Sequence, residues 1–387
     1  MPQSEWTDVE GGPGGEKGSE SQPGWSERLL HVTWANFLVT MSTGGIAVVI
    51  GQQPHTFRGL QTIGKVVFIF DLVLLITIIT LTVQRFVRKP ELLWRSLRNP
   101  GECLFLPAVW LSVADIIICM QLYASSSTGN WLTVTIRVLF WFYVATVLIM
   151  ASLLYLDLFT ARRMTNHDII PAWLLPMLPV MLTGTIAGSI ASSQPPGQAI
   201  AILVAGLTCQ GLGFWASIAM YGPFITRLMK IGLPAPNLRP GLMIAVSPPA
   251  FTALALINMS QATPAATSYF SSHPTASETL QVIALATGIF LWALSFWWFV
   301  VTVCAILLGV KKMEFHLVWY GLLFPNVGWT ISTISIGNAL GSNAVTWVST
   351  AMSLLLITAY LCVLLMHARA IWRGGILWPG KDEDKDT

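Results

Sequence analysis

Ten stretches of this chain are each apolar over a length that can cross a bilayer, and no other feature restricts the fold as much. A membrane-spanning helix needs roughly 17–25 predominantly apolar residues. The stretches that qualify run at about 31–51, 60–84, 103–123, 131–156, 171–192, 197–221, 239–261, 280–309, 316–340 and 345–367. In lipid the backbone has no water to bond, so an isolated apolar stretch of this kind forms a helix. Only 10% of the residues are charged, against about 25% in a typical soluble domain. Such a chain cannot cover itself with a polar surface. The expected fold is an all-α polytopic membrane protein, with short loops pairing the spans into five tandem hairpins. One transmembrane domain covers 29–368. Residues 1–28 form a Gly/Ser/Glu-rich cytosolic tail without an apolar leader segment. Residues 369–387, ending KDEDKDT, form a charged cytosolic tail.

The basic residues orient the spans. With the N-terminus in the cytosol, the inner loops hold Arg85, Arg88, Lys89, Arg95, Arg98, Arg162, Arg163, Arg227, Lys230, Arg239, Lys311 and Lys312. The outer loops hold Arg58. Both termini are therefore expected in the cytosol. The five cysteines, Cys103, Cys119, Cys209, Cys304 and Cys362, fall in apolar stretches without metal-site or disulfide spacing, and read as buried small hydrophobes. No histidine lies at mid-membrane depth. No HExxH, P-loop, GxSxG or triad spacing occurs. Neither catalysis, a metal, a cofactor nor a nucleic-acid partner is expected.

Helix breaks recur with the hairpins. Span 3 carries FLP at Pro107, span 5 LLPMLP with Pro176 and Pro179, span 7 SPP with Pro248 and Pro249, and span 9 FPN with Pro325. Span 1 has STGG, Ser42 to Gly45, at the matching depth. Successive breaks lie about 63 to 77 residues apart, the signature of a repeat. No even-numbered span carries an interior proline. Proline removes an N–H and frees a carbonyl, which membranes tolerate only against protein or a wet cavity. Five kinked inner helices around a central pore, ringed by five outer helices, follow from that pattern. Small residues such as Gly184, Gly188, Ser189, Ser332, Ser335 and Gly337 mark the inner set.

Few ionisable residues lie within the spans. Lys65 and Asp71 sit in span 2, Asp115 in span 3 and Arg137 in span 4. Intramembrane charge is costly and marks candidate function. Asp115 and Arg137 match in depth within about 3 Å. They read either as a structural pair locking the hairpin or as a site where Arg137 offers its fork to a substrate carboxylate. Lys65 can snorkel outward or draw anions into a vestibule. Asp71 has no evident partner and is a candidate for proton coupling. Ser42, Thr43 and Gly44, with Ser247 at the span 7 break, offer hydroxyls and unpaired N–H groups, natural anion sites. Asn326 offers an amide to a carboxylate.

The segments HVTWANFLVTMSTGGIAVVI, PAWLLPMLPVMLTGTIAGSI, VAGLTCQGLGFW and RPGLMIAVSPPAFTALALI resemble fungal malic acid (C4-dicarboxylate) transport proteins of the tellurite-resistance/dicarboxylate transporter family, which also holds slow anion channels and sulfite efflux pumps. The likeness runs from residue 31 to about 368. It implies quasi-fivefold hairpins, a pore in each subunit of a homotrimer, and residence in a fungal plasma membrane. It also implies that Phe324, immediately before Pro325, plugs the pore. It points to malate and similar dicarboxylates, with proton symport as the transporter variant and a passive gated anion channel or sulfite efflux as alternatives. The GLQTIGKV and SPPAFTALAL segments favour malate over sulfite. Glu102 in RNPGECLF departs from the more basic character of some channel members.

Overall fold

The computed structural model describes residue 24 and residues 28–125, 128–161, 170–264 and 268–378. Most of the expected N-terminal tail and residues 379–387 of the C-terminal one, with Arg162, Arg163 and His167, lie outside the described residues. Ten α-helices carry the fold: α1 Phe37–Gly51, α2 Leu60–Arg88, α3 Pro107–Ala124, α4 Asn130–Ala161, α5 Leu178–Ile190, α6 Pro196–Ile231, α7 Ser247–Gln261, α8 Ala276–Leu307, α9 Phe324–Leu340 and α10 Asn343–Trp372.

Odd and even helices play different parts. Among the described residues, nine segments are long and apolar enough to span a membrane without interruption. Those containing α1, α3, α5 and α7 are 89%, 67%, 83% and 89% buried inside the protein. Those formed by α2, α4, α6, α8 and α10 are 17%, 39%, 39%, 28% and 28% buried. The odd helices therefore form the inside, and the even helices turn bulky side chains such as Phe290, Trp215 and Leu355 outward. The remaining stretch is divided into a 3-10 segment, Leu317–Leu322, and α9, which is buried almost throughout. The inner helices pack in the order α1, α3, α5, α7, α9, and α9 packs back on α1.

Each inner helix starts at a break. The 3-10 turns Trp34–Asn36, Pro171–Met177, Pro236–Val246 and Leu317–Leu322 lead into α1, α5, α7 and α9, and Pro107 opens α3 as its first residue. A proline at the first helical position loses nothing, because that N–H has no intrahelical acceptor. The cost falls on the carbonyl one turn earlier. The carbonyl of Ala245, four residues before Pro249, accepts the Tyr221 hydroxyl of α6 at 2.6 Å. On α4, Tyr143 donates to the Pro179 carbonyl at 2.8 Å and Tyr155 to that of Trp173 at 2.7 Å. Outer-helix hydroxyls thus supply the partners that lipid cannot.

Three expectations need correction. The helix of span 6 continues past 221 to Ile231 and so encloses Pro223, so the even helices are not free of interior proline. Cys304 and Cys362 are exposed on the outer faces of α8 and α10, whereas Cys103, Cys119 and Cys209 are buried; apolar surroundings in sequence include lipid as well as core. Arg85 is not a solvated loop charge. It lies 1% exposed in the last turn of α2, forms an ion pair with buried Glu102, and donates to the Val32 carbonyl at 2.9 Å.

Candidate anion pathway

All five inner helices contribute residues near their starts to one axial cavity, but the STGG of span 1, Ser42 to Gly45, is not a break: it lies inside the continuous helix α1, because it holds no proline to free a carbonyl. Met41 of α1, Phe105 just before α3, Leu178 of α5, Ser247 of α7 and Phe324 of α9 all line the cavity. Its volume is about 20 Å³, room for about one water. Apart from the Ser247 hydroxyl the lining is almost wholly apolar. A passage so narrow and apolar is closed to a hydrated ion by size and by dewetting.

Phe324 is 1% exposed and stacks on Phe251 of α7, ring centroids 5.1 Å apart and planes 27° from parallel. Two glycines give the rings this position. A Cβ on Gly328, one turn beyond Phe324, would lie 2.7 Å from the Phe251 ring. A Cβ on Gly45 would lie 2.9 Å from Val327 and hold α1 off α9. Phe251 was not singled out in the sequence, although it stands two residues after Pro249 as Phe324 stands one before Pro325. An aromatic ring beside each of two breaks was the available signal.

The other sequence candidates divide between the axis and the helix interfaces. Ser247 faces the axial cavity, and its buried hydroxyl has no hydrogen-bond partner. Ser42 donates to the Tyr320 carbonyl at 3.4 Å. Thr43 donates to the Val39 carbonyl at 2.7 Å and shares a 2.9 Å hydrogen bond with Tyr360 of α10, which ties it to the outer ring. Asn326 donates to the Leu322 carbonyl at 2.6 Å and lines a lateral pocket of about 300 Å³ between α8, α9 and α10. Two residues along a helix turn the side chain by about 200°, so Asn326 and Phe324 cannot both face the axis.

The intramembrane charges are arranged differently from the depth argument. Asp115 does not pair with Arg137. It turns toward Gly44 of α1, where a Cβ would meet Asp115 Cβ at 2.8 Å and Oδ2 at 3.3 Å. Asp71 of α2 approaches the same point, with Oδ2 at 2.9 Å. Both Asp71 oxygens and Asp115 Oδ2 are buried without hydrogen-bond partners. Gly44 is therefore the space two carboxyl groups need. Arg137 is half-buried on α4 and Lys65 is exposed on α2, and neither forms an ion pair among the described residues. The helices α1, α5, α7 and α9 carry no Asp, Glu, Lys, Arg or His, so Asp115 is the one such residue on the inner ring.

The sequence comparisons agree with this architecture. The family model described as SLAC1, voltage-dependent anion channel, matches residues 31–368. A putative malic acid transport protein of Schizosaccharomyces pombe is 36% identical over 94% of this chain and 85% of its own length. A malic acid transport protein of the same organism is 33% identical over 93% and 83%. The sulfite efflux pump SSU1 of Trichophyton rubrum is 22% identical over 81% and 83%. With ten helices in alternating inner and outer sets, one axial cavity lined from all five inner spans, and a family match over residues 31–368, the chain belongs to the SLAC1 voltage-dependent anion channel family.

Proposed function

We propose that this protein carries C4 dicarboxylates such as malate and succinate across a membrane, through the axial passage within each subunit, with Phe324 as its gate. The observation that carries the reading is the convergence of the starts of all five inner helices on a narrow cavity lined by the Phe324 ring. The two malic acid transport relatives, at 36% and 33% identity, support malate over sulfite, whose pump is 22% identical. Residence in the plasma membrane as a homotrimer, with both termini cytosolic, is part of the same proposal. It rests on the family likeness and the basic inner loops. Ser247, at the narrowest level, would meet the anion there with its free hydroxyl.

Two modes of movement divide this proposal. The unpaired carboxyl groups of Asp71 and Asp115, side by side at Gly44, favour proton symport; a proton passed through that pair needs no cationic side chain. The near absence of ionisable residues from the inner ring favours passive gated conduction. Malate uptake into proteoliposomes decides between them. Flux driven by a proton gradient at clamped potential, and lost in Asp71→Asn, would establish symport. Flux following only the electrical potential, and raised in Phe324→Ala, would establish a channel. Sulfite movement without malate movement would overturn the dicarboxylate reading.

A further inference from the structure

An anion inside this passage meets almost no charge to hold it, since four of the five inner helices carry no Asp, Glu, Lys, Arg or His. Its ligands must be neutral dipoles, which also bind weakly enough to let an ion leave. Beyond the stacked rings toward the outer mouth, α7 carries two side-chain amides, that of Gln261, its exposed last residue, and that of Asn258. Asn258 lies seven residues past Phe251, two helical turns or about 10 Å along the same face. The other faces of α7 are occupied at this level. Ile257 meets Gly288 of α8, and Met259 meets Gly206 of α6. Asn258 instead touches both inner neighbours of α7. A Cβ on Gly188 of α5 would lie 2.9 Å from Asn258 Cβ, and Oδ1 accepts the Ser335 hydroxyl of α9 at 2.9 Å. Ser335 stands three turns past Phe324 on the face of α9 that carries the gate. Asn258 is half-exposed within a helix that is otherwise almost entirely buried. With Oδ1 engaged, the amide nitrogen has no acceptor among the described residues, and its two N–H groups are donors only.

We propose that Asn258, turned by Ser335, is the anion-ligating group of the outer half of the passage, donating through Nδ2 to a carboxylate or another small oxyanion about two turns outside the Phe251–Phe324 constriction. Ser335 acts as a positioning residue: its hydroxyl takes the amide oxygen, and so the nitrogen faces the ion. The inference rests on the transport reading, and its test separates the two.

The experiment compares wild type, Asn258→Ala, Asn258→Asp and Ser335→Ala in proteoliposomes with succinate and malate as probes. Loss of a hydrogen bond to a charged group in a wet site raises the half-saturation concentration by about 10-fold in Asn258→Ala, with maximal flux little changed. Asn258→Asp, which removes the donors and adds negative charge without changing size, loses most flux. Ser335→Ala gives a smaller rise in half-saturation, because the amide can then rotate. In parallel, Asn258→Cys is treated with a water-soluble anionic thiol reagent, against the wild-type background of Cys304 and Cys362. Modification at position 258 is expected whether or not any anion is carried. Unchanged half-saturation in Asn258→Ala, or a position 258 inert to the reagent, overturns the proposal. A wild type that carries no small anion while position 258 still reacts refutes the transport reading instead.

Discussion

One methyl group at Gly328 bears directly on how the passage is shut. A Cβ there would stand 2.7 Å from Cε2 and 2.8 Å from Cδ2 and Cζ of Phe251. Carbon atoms in ordinary contact are about 3.5–4.0 Å apart. In Gly328→Ala the Phe251 ring must therefore retreat by about 1 Å, away from α9 and so away from Phe324. An offset aromatic pair is worth about 0.5–1.5 kcal/mol beyond its burial. At 1.36 kcal/mol per decade, losing it shifts the balance of closed and open gate by about 2- to 12-fold. Alanine is also the better helix former by about 1 kcal/mol, which offsets part of the strain of moving the ring, so the variant should fold. Malate or succinate flux per reconstituted protein, read beside the melting temperature, is the assay. Gly328→Ala should raise flux within that range, as should Phe251→Ala. The double variant should gain little more, because both changes break one contact. If Gly328→Ala leaves flux unchanged or lowers it while Phe324→Ala raises it, Phe251 has no part in closure and the argument fails.

Other variants test the remaining contacts. Phe324→Ala removes a buried ring, should increase flux more than Gly328→Ala, and should cost about 3–5 kcal/mol of stability; a stable variant with unchanged flux would remove Phe324 from the gate. Glu102→Gln removes the carboxylate charge from beside the buried Arg85 guanidinium, which keeps its Val32 bond, at a cost of up to about 3–5 kcal/mol, read as a fall in melting temperature in detergent; an unchanged melting temperature would mean the pair adds nothing to stability. Tyr221→Phe leaves the Ala245 carbonyl without its donor, at about 1–3 kcal/mol, and thermal unfolding against wild type measures it. Gly44→Ala forces Asp71 and Asp115 apart and should destabilise by about 1–3 kcal/mol, a penalty that Asp71→Ala in the same chain should relieve.

What could be read from the sequence was what depends on local chemistry. Proline acts on its own turn, so Pro107, Pro176, Pro179, Pro248 and Pro325 located the breaks, and their alternation located the inner ring. Asp71 was legible as a carboxyl without a partner because no basic residue lies near it at its depth. Errors came where rotation about a helix axis decided the outcome. Depth can be counted at 1.5 Å per residue, and Asp115 and Arg137 do match in depth. Azimuth is set by packing, however, and Gly44 draws Asp115 toward α1. Asn326 fails in the same way, two residues and more than half a turn from Phe324. Arg85 was counted with the inner loops, yet it closes on Glu102 across the short connection; an acid entering the next span 17 residues on was the cue. Phe251 was hidden because its partner Phe324 lies 73 residues away in the chain, and no local pattern reports such a contact.

Some bonds between outer and inner helices stay within a hairpin, as Ser217 of α6 donates to Met181 Sδ of α5 at 3.7 Å and Ser295 of α8 to the Val246 carbonyl at 3.3 Å, while others cross to the next hairpin. Those of α4 reach α5, that of α6 reaches α7, Trp292 of α8 donates to Thr333 of α9 at 2.8 Å, and Tyr360 of α10 meets Thr43 of α1 at 2.9 Å. The third, fourth and fifth hairpins are thus each latched by the one before, and the tenth helix latches the first. In chain order, α1 lacks its Tyr360 partner until α10 is in place. Exchanging a single hairpin with a relative would cut two latches at once. Chimeras cut between an inner helix and its own outer partner would keep the Tyr143–Pro179, Tyr221–Ala245 and Trp292–Thr333 bonds but lose Ser217–Met181 and Ser295–Val246.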